Sequence, residues 1–92
     1  MARTLIVSYD LTAPDQNYEA IIKKIKSYTS WCRLGGSAYL IYTDDEVKAV
    51  RDALSALAGK SDKIFVGISP PPSAWYGMPQ DASAWILKYQ TK

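Results

Sequence analysis

Histidine is absent from this 92-residue sequence, and cysteine occurs once, at Cys32. The lack of histidine excludes a Ser–His–Asp triad, a Cys–His pair and a histidine general base. We expect no zinc centre, because such centres draw mainly on cysteine and histidine. The carboxylates present are still compatible with oxygen-ligated cations such as Mg²⁺ or Mn²⁺. A single cysteine also excludes an internal disulfide and fits a reducing compartment.

Long apolar runs and a strong charge imbalance are also missing. No run approaches the roughly 20 apolar residues that a membrane helix needs. No signal peptide is expected, because residues 1–4 lead directly into a strand-like run. The formal net charge of +2 is too small to indicate nucleic acid or an acidic membrane by itself. With 48% hydrophobic and 22% charged residues, the chain is typical of one soluble, cytoplasmic domain over residues 1–92.

The first third of the chain predicts a strand and then a helix. Residues 4–9 are β-branched and aromatic, which indicates a central strand. Thr12 and Asp15 have the spacing of a capping box, and Pro14 suits a first helical turn. The apolar face of the helix that should follow consists of Tyr18, Ile21, Ile22, Ile25 and Tyr28.

A glycine pair divides the next third. Gly35-Gly36 lies between two strand-like runs, 31–34 and 37–43, and predicts a tight hairpin turn. Thr43–Glu46 has the pattern of a second capping box, so a second helix should begin there. Gly59 is placed to end that helix.

The last third predicts a strand, a proline loop and a short helix. Apolar residues alternate over 62–69, three prolines at 70–72 stop the strand, and residues 81–89 have helical spacing. The order β-α-β-β-α-β predicts an α+β ferredoxin-like fold with a four-stranded antiparallel sheet, plus the proline loop and the last helix. Because the strands carry large residues on both faces, we expect a homodimer formed through the sheet.

Short motifs spread over nearly the whole chain carry a family resemblance. They are Ser8-Tyr9-Asp10-Leu11, Tyr18-Glu19, Ile25-Lys26-Ser27, Trp31, Thr43-Asp44, Val50-Arg51-Asp52-Ala53-Leu54, Asp62, Lys63, Ala74-Trp75 with Gly77, and Trp85. In order and spacing they resemble the SinR-like branch of the Cas-two superfamily, small ferredoxin-fold proteins associated with CRISPR systems and phage defence. The resemblance implies a homodimer that associates with nucleic acid.

Asp10 is the catalytic candidate that this resemblance singles out. In Cas-two-like dimers the matching aspartate lies near its symmetry mate, which implies a Mg²⁺ or Mn²⁺ ion between paired Asp10 side chains. Such an ion relieves the repulsion between two carboxylates and activates water against a phosphodiester. Ser8 and Tyr9 would flank it. From the residues alone, the alternative is that Asp10 caps the loop after its strand.

Further ligand-binding candidates lie in loops. Arg33 lies next to the glycine turn, where a hairpin tip can reach a ligand. Trp75 and Tyr76 follow the prolines and would either stack on bases or a peptide, or clamp the tail against the sheet. The lysines at 23, 24 and 26 form a basic face that would contact phosphates or solvent. Cys32 is expected to be an inert buried thiol.

Two classes of function therefore remain open. One is a metal-dependent phosphodiesterase acting on nucleic acid through paired Asp10 side chains. The other is a non-catalytic binding module that holds a nucleotide, for example a protein of a mobile element that sequesters a cyclic nucleotide, or an adaptor for other proteins. The hairpin residues 33–36 and the prolines at 70–72 depart from the family pattern. Together with the missing histidine, these departures favour binding over catalysis.

Overall fold

The computed structural model of this chain describes residues 2–10, 18–59 and 62–90. Its elements are β1 (Arg3–Asp10), α1 (Tyr18–Ile25), β2 (Ser30–Gly35), β3 (Ala38–Thr43), α2 (Val47–Ser55), β4 (Lys63–Ile68) and α3 (Gln80–Tyr89). The predicted order β-α-β-β-α-β, followed by a short last helix, is confirmed. The capping box predicted at Thr12 and Asp15 lies outside the described residues.

The four strands form one antiparallel sheet in the order β2-β3-β1-β4. The first strand lies inside the sheet and pairs with β3 on one side and β4 on the other. This is the strand order of the ferredoxin-like fold that the sequence predicts. It makes β2 and β4 the two edge strands, so each has one side without a neighbouring strand.

Helices α1 and α2 cover one face of the sheet. The main core between them contains fully buried Leu5 and Val7 from β1, Ile41 from β3, Ile21 from α1 and Leu54 from α2. Side chains of a strand alternate between the two faces, so alternate residues of β1 face these helices. The predicted apolar stripe of the first helix is confirmed at its centre, where Ile21 and Ile25 are fully buried.

The second face of the sheet is only partly covered, by α3. A smaller core forms between this helix and the β2–β3 half of the sheet, with buried Cys32 and Leu40 facing buried Ala82 and Ile86. The Trp85 indole Nε1–H donates to the Ser30 hydroxyl over 2.8 Å. Helix α3 therefore packs against β2, β3 and the start of β1, where the Thr4 hydroxyl donates to the Tyr89 carbonyl over 3.2 Å, and it leaves the end of β1 and the start of β4 without a helix.

The second predicted capping box is wrong. Helix α2 begins at Val47, and its N-cap residue Glu46 makes no capping hydrogen bond with its side chain. The Thr43 hydroxyl instead accepts a hydrogen bond from the Asp45 backbone N–H over 3.1 Å. Glu46 pairs with Arg3 over 2.7 Å. Thr43 is the last residue of β3, so its backbone belongs to the sheet and a turn precedes the helix.

The hairpin between β2 and β3 follows the predicted glycine turn. Gly35 and Gly36 have φ angles of +141° and +47°, a region that other residues rarely adopt.

Within the three described ranges, no helix has the length and apolar character needed to cross a membrane.

Candidate functional site

The carboxyl end of β1 brings Asp10 next to β4. In the strand register Asp10 pairs with Lys63, and Ser8 pairs with Phe65. Directly paired residues of antiparallel strands point to the same face of a sheet. These four side chains therefore share the second face, at the end of β1 and the start of β4, beyond the part that α3 covers.

A shallow cavity of about 150 Å³ lies at this position. We call it the strand-end site, and it is lined by Ser8, Tyr9, Asp10, Lys63, Ile64 and Phe65. Phe65 is 63% exposed, which is unusual for a phenylalanine in a strand. A Cβ added at Gly67 would lie 3.3 Å from two carbons of the Phe65 ring, so the ring lies along Gly67. The site thus offers an exposed aromatic ring, an ammonium group, a hydroxyl and a carboxylate.

One chain supplies few oxygen ligands for a metal ion at this site. Asp10 supplies one carboxylate and Ser8 one hydroxyl, while Lys63 places a positive charge next to them. Across residues 2–10, 18–59 and 62–90, no group of three or more cysteine, aspartate or glutamate side chains is placed to hold a metal ion. A divalent cation usually takes six or more oxygen ligands. For Mg²⁺, water molecules commonly supply several of these ligands, and a second chain would add its own Asp10.

A larger cavity of about 470 Å³ lies along the outer edge of β2. We call it the edge groove, and it is lined by Trp31, Cys32, Arg33, Leu34, Gly35, Pro79, Asp81, Ala82 and Trp85. Trp31 and Arg33 are exposed, and the Lys26 ammonium lies 4.7 Å from the centre of the Trp31 ring. Trp85 and Asp81 belong to α3 on the other side. The groove therefore has one basic, aromatic wall and one wall formed by a helix.

The Cys32 thiol is not a reactive group of this groove. The side chain is buried, and its sulfur lies 3.9 Å from the Ala82 carbonyl oxygen. Burial, and to a smaller extent the negative charge of Asp81, raise the pKa of the thiol above its ordinary value. A thiol that is buried and protonated is a poor nucleophile. The expected buried position of Cys32 is confirmed.

The structure places the predicted ligand-binding residues in three separate regions. Ser8 and Asp10 meet at the strand-end site, whereas Arg33 lies in the edge groove beyond β3. Tyr9 is buried in the main core, where its ring stacks on that of Tyr39 with centroids 6.4 Å apart. The binding roles of these residues stay predictions.

The aromatic pair of the proline loop divides between core and surface. Trp75 packs against the smaller core and donates from Nε1 to the Ser83 hydroxyl over 2.9 Å. Tyr76 is 98% exposed. Trp75 therefore joins the loop to α3, and Tyr76 is the member of the pair that a ligand can reach.

Two residues of these sites were not singled out from the sequence. Phe65 alternates with Ile64 and Val66, which places it on the opposite face from the main core, and this alternation was the available signal. Trp85 was named only among the family motifs, and nothing in the sequence indicates that it borders a groove.

Comparisons of the chain with protein-family models, curated proteins and solved structures gave no match. The resemblance to the SinR-like branch of the Cas-two superfamily therefore stays a prediction that rests on the motifs alone.

Proposed function

We propose that this protein binds single-stranded nucleic acid, with an unpaired base stacked on Phe65. The observation that carries the proposal is the 63% exposure of this ring, on a strand and on the part of the second face that α3 does not cover. An aromatic ring stacks on any base through its face, and such stacking contributes about 1–3 kcal/mol per base. We therefore assign the predicted association with nucleic acid to the strand-end site.

Lys63 and Ser8 support the same proposal. Lys63 is exposed and lies two residues before Phe65 in β4. Residues two apart in a strand are neighbours on the same face of the sheet, so the two side chains lie next to each other. An ammonium group there pairs with the phosphate next to a stacked base. The Ser8 hydroxyl, directly across from Phe65 in the register, can donate to a base edge or a phosphate oxygen.

Substitutions of Phe65 and Lys63 test the site by fluorescence anisotropy with a labelled ten-nucleotide oligothymidine. Phe65→Ala should weaken binding by about 5- to 100-fold, because it removes one stacking contact. Lys63→Ala should lower the slope of log affinity against log salt by about 0.7, the value for one phosphate contact on a single strand. Each variant keeps the main core intact, since neither side chain belongs to it.

Matched controls are present elsewhere on the chain. Leu87→Ala removes an exposed apolar side chain from α3, and Lys48→Ala removes an exposed lysine from α2. Both variants should bind as the unchanged protein does. Equal affinity of Phe65→Ala and the unchanged protein would contradict the proposal. If Tyr76→Ala alone reduced binding, the site would be the proline loop.

The second candidate function is a metal-dependent phosphodiesterase formed by a homodimer through the sheet. It is favoured by the position of Asp10, which is exposed at the end of β1, where a second copy could bring its own Asp10 close. Asp10→Ala should then abolish cleavage of an oligonucleotide in Mg²⁺ or Mn²⁺ and leave the dimer folded. Native mass spectrometry checks the dimer. A monomer, or cleavage that survives the substitution, would contradict this assignment.

A further inference from the structure

The direction of the backbone groups on β3 shows which groups of β2 face the edge groove. The Tyr9 N–H donates to the Ser37 carbonyl over 3.1 Å, next to the β1–β3 ladder. Backbone groups of successive residues in a strand point to alternate sides. Tyr39 and Ile41 therefore bond to β1, and the intervening Leu40 and Tyr42 bond to β2.

The partners of Leu40 and Tyr42 on β2 are Cys32 and Ser30. These two residues use their backbone groups within the sheet. By the same alternation, the N–H and C=O of Trp31 and Arg33 point away from β3, out of the sheet and into the edge groove. The edge thus presents two donors and two acceptors at the spacing of a strand, although the Arg33 carbonyl also accepts a weak contact from the Cys32 thiol over 3.8 Å. A register shift between Arg33 and Gly35 ends the regular edge at this point.

We propose that the edge groove binds an extended peptide of another protein as an additional strand next to β2. Only a second extended backbone matches alternating donors and acceptors in this way, and pairing at a sheet edge is an established mode of peptide recognition. Trp31 and Arg33 together provide up to four backbone hydrogen bonds. This function is separate from binding at the strand-end site, which lies across the sheet.

The walls of the groove define the side chains of the peptide. Peptide residues opposite Trp31 and Arg33 point to the side of these exposed residues, where Lys26 adds a further positive charge. That side favours acidic residues. Peptide residues opposite Cys32 point to the side of α3, where Ala82 and Trp85 form an apolar wall. The peptide should therefore alternate acidic and apolar residues.

The test uses a capped heptapeptide of alternating valine and glutamate, titrated into the ¹⁵N-labelled protein by NMR. We expect a Kd below about 1 mM and slower hydrogen exchange of the Trp31 and Arg33 amides. An isomer with the same residues in two blocks has equal charge and should bind at least about 5-fold more weakly, because it loses the alternation. The alternating peptide with three central N-methyl groups should bind far more weakly, because its central residues cannot donate backbone hydrogen bonds.

Two substitutions at Arg33 separate its charge from its backbone. Arg33→Ala should weaken binding by about 2- to 5-fold, as expected for an exposed ion pair. Arg33→Pro should weaken it by a further ~2- to 10-fold, because it also removes an outward-pointing N–H. Proline is tolerated on an edge strand where its nitrogen faces away from the sheet. Arg51→Ala, at an exposed arginine of α2, should leave the affinity unchanged.

Several results would overturn the proposal. The alternating peptide could fail to bind, or the block isomer or the N-methylated peptide could bind equally well. The alternating peptide could also bind without slowing hydrogen exchange of the Trp31 and Arg33 amides. Protection that appears on raising the protein concentration alone would assign the edge to a second copy of this chain. Protection by oligothymidine would assign it to nucleic acid. If Arg33→Pro does not fold, the N-methylated peptide still decides the question.

Discussion

Replacing Leu54 with alanine should lower the free energy of unfolding by about 3 kcal/mol. Leu54 is fully buried where α2 packs on the sheet, in the same core as Leu5 and Ile41. The substitution removes most of a buried side chain and leaves a cavity that the surrounding strands cannot fill, because a sheet and a helix packed together relax only partly. Domains of this size are stable by about 5–15 kcal/mol, so the variant should lose a large part of its stability.

Urea unfolding followed by circular dichroism measures this effect. The matched control is Leu87→Ala, a leucine in α3 that is 61% exposed. It should change the free energy of unfolding by no more than about 0.5 kcal/mol. Equal effects of the two substitutions would show that α2 does not pack on the sheet as described.

Replacing Trp85 with alanine should lower the free energy of unfolding by about 2–3 kcal/mol and loosen α3. Trp85 connects the helix to the sheet in two ways. Its indole N–H donates to the Ser30 hydroxyl in β2. Its ring centroid lies 4.7 Å from that of Tyr89, and the Tyr89 centroid lies 4.8 Å from that of Tyr42 in β3. The expected loss is below that of a fully buried tryptophan, about 3–5 kcal/mol, because this side chain is only half-buried.

The Cys32 thiol reports on this change, because α3 covers it. Its raised pKa means that at pH 8 less of it is thiolate than of a free cysteine, so iodoacetamide should react slowly with the unchanged protein. Reaction should be faster in Trp85→Ala. Ser30→Ala is the comparison, since it removes only the hydrogen bond and should cost about 1 kcal/mol. Slow alkylation of Trp85→Ala, with stability unchanged, would contradict the role of Trp85 in holding α3.

The fold was predictable because several separate sequence patterns indicate it. The β-branched and aromatic run of β1, the alternation in β4, the glycine pair and the apolar stripe of α1 all favour the same arrangement. The start of α2 was not predictable from capping residues, because Thr43 is the last residue of β3 and the sheet determines its backbone. For α3, the spacing of Ala84 and Lys88 indicated a helix, but both residues are exposed and the buried contacts come from Ala82 and Ile86.

The candidate sites were less predictable than the fold. Asp10 and Ser8 could be singled out because they are close in sequence at the end of one strand. Phe65 joins them only through the pairing of β1 with β4, and Trp85 lines the same groove as Trp31 only through the packing of α3 on the second face. Such meetings depend on strand order and on helix position, which local sequence patterns do not contain.

Titration of oligothymidine into the ¹⁵N-labelled protein, followed by NMR at a series of concentrations, tests most directly whether nucleic acid binds at the strand-end site. We expect the largest amide shift changes around Ser8, Asp10, Lys63 and Phe65, with little change at residues 30–35 and at Tyr76. Phe65→Ala should reduce all of these changes together. An oligonucleotide that leaves the amides of residues 63–67 unchanged, or shifts those near Tyr76 instead, would contradict binding at the strand-end site.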